Sequence, residues 1–259
     1  MRIGVLVKQV PDTWEERRLD PALRRTDRSG ALVADEVGEQ ALEVALTCKD
    51  VDRSIEVVVV TMGPPSAQDV VRGGLAMGAD RGVHVVDEAL VGADLIATAT
   101  VLAEVVRSEG FDLVVTGAQS TDGEGGVLPA VLAEMLGLPV LSGLAAVQLT
   151  GTRSAGGQVT GTRAVEAGSV QVAATLPAVV SVTGQLPPAR TAGLRGVLAA
   201  KRRPILRTGL AELGLAAIPP STSLLSLTVA PRRAASRVLV DDGGAAAQIV
   251  EFLAARHLI

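Results

Sequence analysis

The residues best equipped for chemistry stand in one short stretch, GAQSTDGEGG, from Gly117 to Gly126. Gly117, Gly123, Gly125 and Gly126 are interleaved with Ser120, Thr121 and Asp122, directly before an apolar helical pattern. A tight turn needs one glycine and a helix start needs one cap, so the surplus asks for a reason. Free backbone N–H groups at a helix start, together with hydroxyls, form an anion site suited to phosphate. Pro129 suits the first helical turn, where its missing N–H costs nothing. The competing reading is a glycine-rich connector in which Asp122 is an ordinary cap. No Gly-Lys-Ser/Thr of a P-loop occurs here, and Leu128 stands where a dinucleotide fingerprint has its third glycine. What remains is a nucleotide cradle without hydrolytic machinery.

Other reactive groups are sparse. His84 lies inside a strand-like run and His257 in a terminal helical one; neither has a second histidine or a cysteine close by in sequence, so no metal site is expected. The single cysteine, Cys48, ends an apolar helix and reads as packing; it cannot form an internal disulfide. No nucleophile elbow is present. The acid pairs Asp87–Glu88 and Asp241–Asp242 read as solvated turns, and Lys201–Arg203 as a helix end or a contact surface. The chain is therefore not expected to be an enzyme on its own.

The elements that must hold this loop alternate in period. Ile3–Val7, Ile55–Val60, Gly82–Val86, Leu113–Thr116 and Val179–Val182 are continuous apolar or β-branched runs, as for parallel strands buried on both faces. Glu39–Thr47, Ser66–Met77, Leu95–Ser108 and Val127–Leu136 carry helical spacing, with Ser66 and Asp69 as a capping-box variant. The order implies an α/β fold with a parallel sheet. After Leu138, alternating apolar and small polar residues cut by Gly-Thr and Gly-Gly pairs predict an antiparallel extension. A Pro- and Gly-punctuated loop, a short helix, a strand-like Leu224–Val229 and a C-terminal helix from about Gly244 to Arg256 follow.

Composition supports a packed protein: 48% of residues are apolar and 20% charged. A net charge of −4 gives no electrostatic case for nucleic acid. The opening MRIGVLVKQV is too short for a secretory leader, and no apolar run spans a bilayer unbroken, so a cytoplasmic protein without membrane insertion is expected. There is no Tyr, and Trp14, Phe111 and Phe252 are the only Trp and Phe residues. A nucleotide must therefore be held by backbone, glycine and hydroxyl groups rather than by stacking.

Four blocks in order carry a family resemblance: VKQVPD (Val7–Asp12), GPPSAQDVVRGGLAMGADRGVHV (Gly63–Val85), GAQSTDGEGGVLPAVLAEMLGLP (Gly117–Pro139) and LPAVVSVTGQLPPARTAGLRGVLAAKRRP (Leu176–Pro204). They resemble the β subunit of electron transfer flavoprotein. The resemblance implies an adenine-nucleotide-binding domain of the adenine nucleotide alpha hydrolase-like class over residues 1–204. A C-terminal arm over 205–259 would pack on an α subunit that carries the redox-active FAD. This chain would hold a structural AMP through Gly117, Ala118, Gln119, Ser120, Thr121, Asp122, Gly123, Glu124, Gly125, Gly126, Val127 and Leu128. Leu6 and Met62 would lie near the adenine. Asp35-Glu36-Val37-Gly38 departs from the family's segment, so only backbone from Gly38 carries over. A recognition loop at about 183–203, with Arg190 and Leu194 as docking residues, would engage flavin dehydrogenases, whose electrons pass through the α subunit toward the respiratory chain. Two alternatives stay open: a bifurcating or specialised member with a second FAD in place of AMP, and a stand-alone adenine-nucleotide-binding regulator.

Overall fold

The continuous apolar runs become parallel strands because helices cover both faces of the sheet they form. The structure is a computed structural model that describes residues 1–228 and 238–259. In chain order its elements begin with β1 (Arg2–Leu6), β2 (Gln9–Pro11), β3 (Leu19–Asp20), β4 (Arg25–Thr26), β5 (Leu32–Ala34), α1 (Glu36–Val51), β6 (Glu56–Met62), α2 (Gln68–Met77), β7 (Arg81–Val85) and α3 (Leu95–Glu109). They continue with β8 (Leu113–Gly117), α4 (Leu128–Leu136), β9 (Val140–Thr150), β10 (Gln158–Val165), β11 (Gly168–Thr175), β12 (Ala178–Val182), α5 (Leu194–Ala200), β13 (Ile205–Thr208) and α6 (Ala245–Ala254).

One large sheet has the order β11-β10-β9-β12-β8-β1-β6-β7-β13. From β9 through β13 every neighbouring pair is parallel, and only β9-β10-β11 pair antiparallel. Alternation along β6 feeds both cores: Val57 and Val59 pack with Leu42, Leu46 and Leu75 beneath α1 and α2, and Val58 and Val60 with Val101, Val105 and Leu132 beneath α3 and α4. The expected α/β class with a parallel sheet and an antiparallel extension is thus the observed one. The extension is narrower than its sequence suggests, since β9 itself runs parallel to β12 before it turns into the hairpin strands.

Several elements differ from the expectation for local reasons. Helix α1 begins at Glu36 because the Asp35 carboxylate accepts from Val37 N at 3.1 Å. Ser66 does not cap α2; it lies in a 3-10 turn (Pro65–Ala67), and its hydroxyl donates to Gln9 Oε1 at 2.9 Å. Two small hairpins, β2–β5 and β3–β4, fill residues 9–34. Residues 205–208, whose basic approach read as a helix end, form the edge strand β13. Residues 224–228 are not a strand, and Val229 lies outside the described residues. Trp14, after β2, is 96% exposed.

The chain divides into a unit Met1–Leu225, which contains the sheet, and a unit Ser226–Ile259. Within the second, α6 buries no residue; it leaves Ile249, Val250 and Phe252 exposed and sets the Arg256 guanidinium 4.6 Å from the Phe252 ring centroid.

Candidate functional site

The chain extends from β1 to β6 and β7 on one side, then returns to place β8 on the other. Such a reversal leaves a crevice beyond the carboxyl ends of the strands that flank it. A cavity of about 550 Å³ lies there, a size that suits a small ligand. Its apolar wall comes from strand ends and nearby turns: Leu6, Val60, Met62, Val85, Leu90 and Leu102. The polar wall is the loop between β8 and α4.

Twelve of the expected binding residues line this cavity: Leu6, Gly38, Met62, Gly117, Ala118, Gln119, Ser120, Gly123, Gly125, Gly126, Val127 and Leu128. Thr121, Asp122 and Glu124 are not part of its lining. These three hold the loop from behind. Thr121 donates its amide (2.7 Å) and its hydroxyl (3.0 Å) to Asp35 Oδ2, which ties the loop to the start of α1. Glu124 pairs with Arg17 at 3.1 Å and adopts a left-handed φ of 51°.

Asp122 is no helix cap, because the cap position of α4 is Val127 and carries no side-chain bond. Its side chain is 3% exposed and accepts from Lys8 Nζ at 2.6 Å and from Arg28 Nη2. Burial alone would raise the Asp122 carboxyl. The hydrogen bond and charge of Lys8, joined by Ser120 and Arg28, outweigh it and hold the group below the usual carboxylate range. Asp122 therefore does not play the cap role that the connector reading gave it.

Glycine has separate causes along the loop. A Cβ on Gly117 would stand 3.2 Å from Val37 Cγ1, and one on Gly38 would stand 3.1 Å from Val7 Cγ1, so both permit close packing of α1 on the strand ends. Gly126 has a left-handed φ of 66°. Gly125 has neither constraint: a Cβ there meets nothing within 4 Å, and the residue faces the cavity.

The donors match an anion. Among the described residues, the backbone N–H groups of Gly125, Gly126, Val127 and Leu128 donate to no protein acceptor; Leu128 opens α4, where the helix itself supplies none, and Gly125 and Gly126 precede its cap position, Val127. Lys8 lines the same cavity, with Nζ 3.2 Å from Ser120 Oγ. Farther along, Thr61 lines the cavity with a buried hydroxyl that has no partner. Open space at Gly125, unpartnered amides and an orphaned hydroxyl fit a phosphate-bearing group with a flat apolar body, as an adenine nucleotide has.

Sequence reasoning missed Lys8, Arg28, Asp35 and Thr61. Lys8 and Arg28 carried only a charge as signal, and Asp35 only its capping chemistry before α1. The opposite rim holds Asp87 and Asp94. Asp94 caps α3 through Ala97 N at 2.9 Å and also accepts from Ser221 N and Thr222 N.

The family model described as the electron transfer flavoprotein domain matches residues 26–213. A protein of Mycobacterium tuberculosis named electron transfer flavoprotein subunit beta is 39% identical over 99% of both chains. The protein of the same name from Megasphaera elsdenii is 32% identical over the full length of both. This chain belongs to the electron transfer flavoprotein β-subunit family. Another relative, the Caffeyl-CoA reductase-Etf complex subunit CarD of Acetobacterium woodii, is 33% identical over 83% of this chain and 80% of its own.

Leu194, expected as a docking residue, opens α5. Leu194 is 76% exposed, and Val197 and Leu198 on the same short helix are also exposed. Arg190, expected as a docking residue beside Leu194, does not extend outward. It turns back onto α1, where it meets Glu43 at 2.8 Å and Asp50 at 2.7 Å.

Proposed function

We propose that this chain is the β subunit of a heterodimeric electron transfer flavoprotein and holds one AMP in the cavity beside β1. The observation that carries the reading is the set of unpartnered amides at Gly125–Leu128 around the space that Gly125 leaves open. These amides would take the phosphate, with Lys8 contributing charge. Leu6 and Met62 would flank the adenine, and Thr61 would offer its hydroxyl to the nucleotide. FAD bound to the α subunit would supply the redox chemistry. This chain would contribute binding surfaces: the apolar residues of α6 toward the α subunit, and Leu194 toward flavin dehydrogenases that pass electrons onward to the respiratory chain. Among the described residues no helix is long and apolar enough to cross a membrane, which is compatible with work in the cytoplasm.

The test is to denature the purified heterodimer and chromatograph the released nucleotides. One AMP and one FAD are expected. Two FAD without AMP would instead assign the chain to the specialised class. A separately expressed chain that is stable and monomeric with nucleotide bound would assign it to the regulators.

A further inference from the structure

The segment between β12 and α5 leads into three exposed apolar side chains of α5, Leu194, Val197 and Leu198, yet it is fastened at both sides. At its far side α5 lies flat on α2: a Cβ on Gly196 would stand 2.2 Å from the Ala76 carbonyl oxygen, and Arg72 Nη1 donates to the Ala200 oxygen at 2.5 Å. At its near side Gln40 Nε2 donates to the Leu186 oxygen at 3.0 Å. Arg190 then gives its backbone N–H to Glu43 Oε2 at 3.0 Å and its guanidinium to both oxygens of the same carboxylate, with Asp50 as a second acceptor. One carboxylate thus fixes main chain and side chain together, four residues before Leu194. An isolated surface ion pair contributes little, but a forked pair that also holds the backbone constrains geometry.

Gln40, Glu43 and Asp50 all belong to α1. Asp35, which caps the same helix, holds the β8–α4 loop through Thr121, and Gly38 in its first turn lines the cavity. Its 16 residues rise about 24 Å from that end to the other.

We infer that Arg190 is a positioning residue that moors the Leu194 docking loop onto α1, so that one rigid helix carries both the nucleotide cradle and the dehydrogenase contact. This inference rests on the docking role of Leu194 proposed above. Arg190 acts through Glu43 and Asp50 rather than by touching the dehydrogenase.

Glu43→Gln is the deciding variant, since it leaves Arg190 in place but weakens its mooring. Wild type, Glu43→Gln, Arg190→Gln and Leu194→Ala are compared as heterodimers. Amide hydrogen exchange is followed over residues 186–195, nucleotide content is measured, and KM and kcat are determined with a purified flavin dehydrogenase that reduces the wild-type heterodimer. Both Glu43→Gln and Arg190→Gln should speed exchange over 186–195 and raise KM by about tenfold, with kcat and AMP content unchanged. Normal exchange and normal KM in Glu43→Gln, beside a raised KM in Arg190→Gln, would return Arg190 to the contact surface and overturn the mooring. If Arg190→Gln fails to assemble, Glu43→Gln alone decides by the same two measurements. A normal KM in Leu194→Ala would instead remove the docking role itself, and the inference with it.

Discussion

Gly125 and Gly126 stand side by side and are glycine for different reasons. Gly126 needs its left-handed φ of 66°, so any side chain there strains the backbone before it affects a ligand. Gly125 has an ordinary φ and open space beyond its missing Cβ. Gly125→Val should therefore fold with a melting temperature close to wild type and lose most of its AMP on purification. Gly126→Ala should cost about 1 kcal/mol of stability and so lower the melting temperature first. A Gly125→Val heterodimer with a full AMP complement would put the phosphate elsewhere. Thr61 gives a test of opposite sign. Its buried hydroxyl has no partner, so Thr61→Val removes a desolvated polar atom and should leave the nucleotide-free protein as stable or slightly more so. The same change should weaken nucleotide retention if the hydroxyl serves the ligand. Parallel melts of stripped and loaded protein read both effects.

Among the elements, α5 depends on one contact. The Cβ position of Gly196 falls on backbone, not on a flexible side chain, so Gly196→Ala must push α5 off α2. A loss of about 1–3 kcal/mol and a weakened dehydrogenase encounter are expected; unchanged denaturant midpoint and kinetics would mean that α5 sits otherwise. The elements that sequence reveals best are those whose own residues specify them. Val57–Val60 and Leu113–Val115 are apolar without interruption because both faces are covered, and that signal is local. Strand β13 is hidden because it is an edge: Leu206 and Arg207 are exposed, so neither continuous burial nor alternation marks it. The cavity is legible only in part for a related reason. Gly117–Leu128 is contiguous, whereas Lys8, Arg28, Asp35 and Thr61 reach it because the chain reverses around β1, a property of topology. Asp122 illustrates the limit: its acidic side chain before a helix reads as a cap, but two cations from the first 28 residues claim it.

For the whole molecule, acid stability should carry the mark of His84. It is fully buried on β7, with Nε2 donating to the Gly63 oxygen at 3.2 Å and Nδ1 without a partner. Burial lowers its pKa from the usual 6.5, since a second proton would place an unsolvated charge beside Nδ1. Between that lowered value and 6.5 the unfolded chain binds more protons than the folded one. The stability due to neutral His84 is thus complete above pH 6.5 and is lost as pH falls toward the folded pKa. His84→Gln should flatten the melting curve between pH 7.5 and 5.5, and an equally steep fall in the variant would assign the acid limb to other groups. How such melts are recorded matters here, because the molecule has no Tyr and a single Trp, and Trp14 is 96% exposed. Its indole already emits from water in the folded chain, so intrinsic fluorescence of the isolated subunit would barely register unfolding, and circular dichroism or calorimetry must follow it instead. That silence makes Trp14 a built-in reporter: a blue shift when the α subunit is added would mean that the segment after β2 has become covered by a partner.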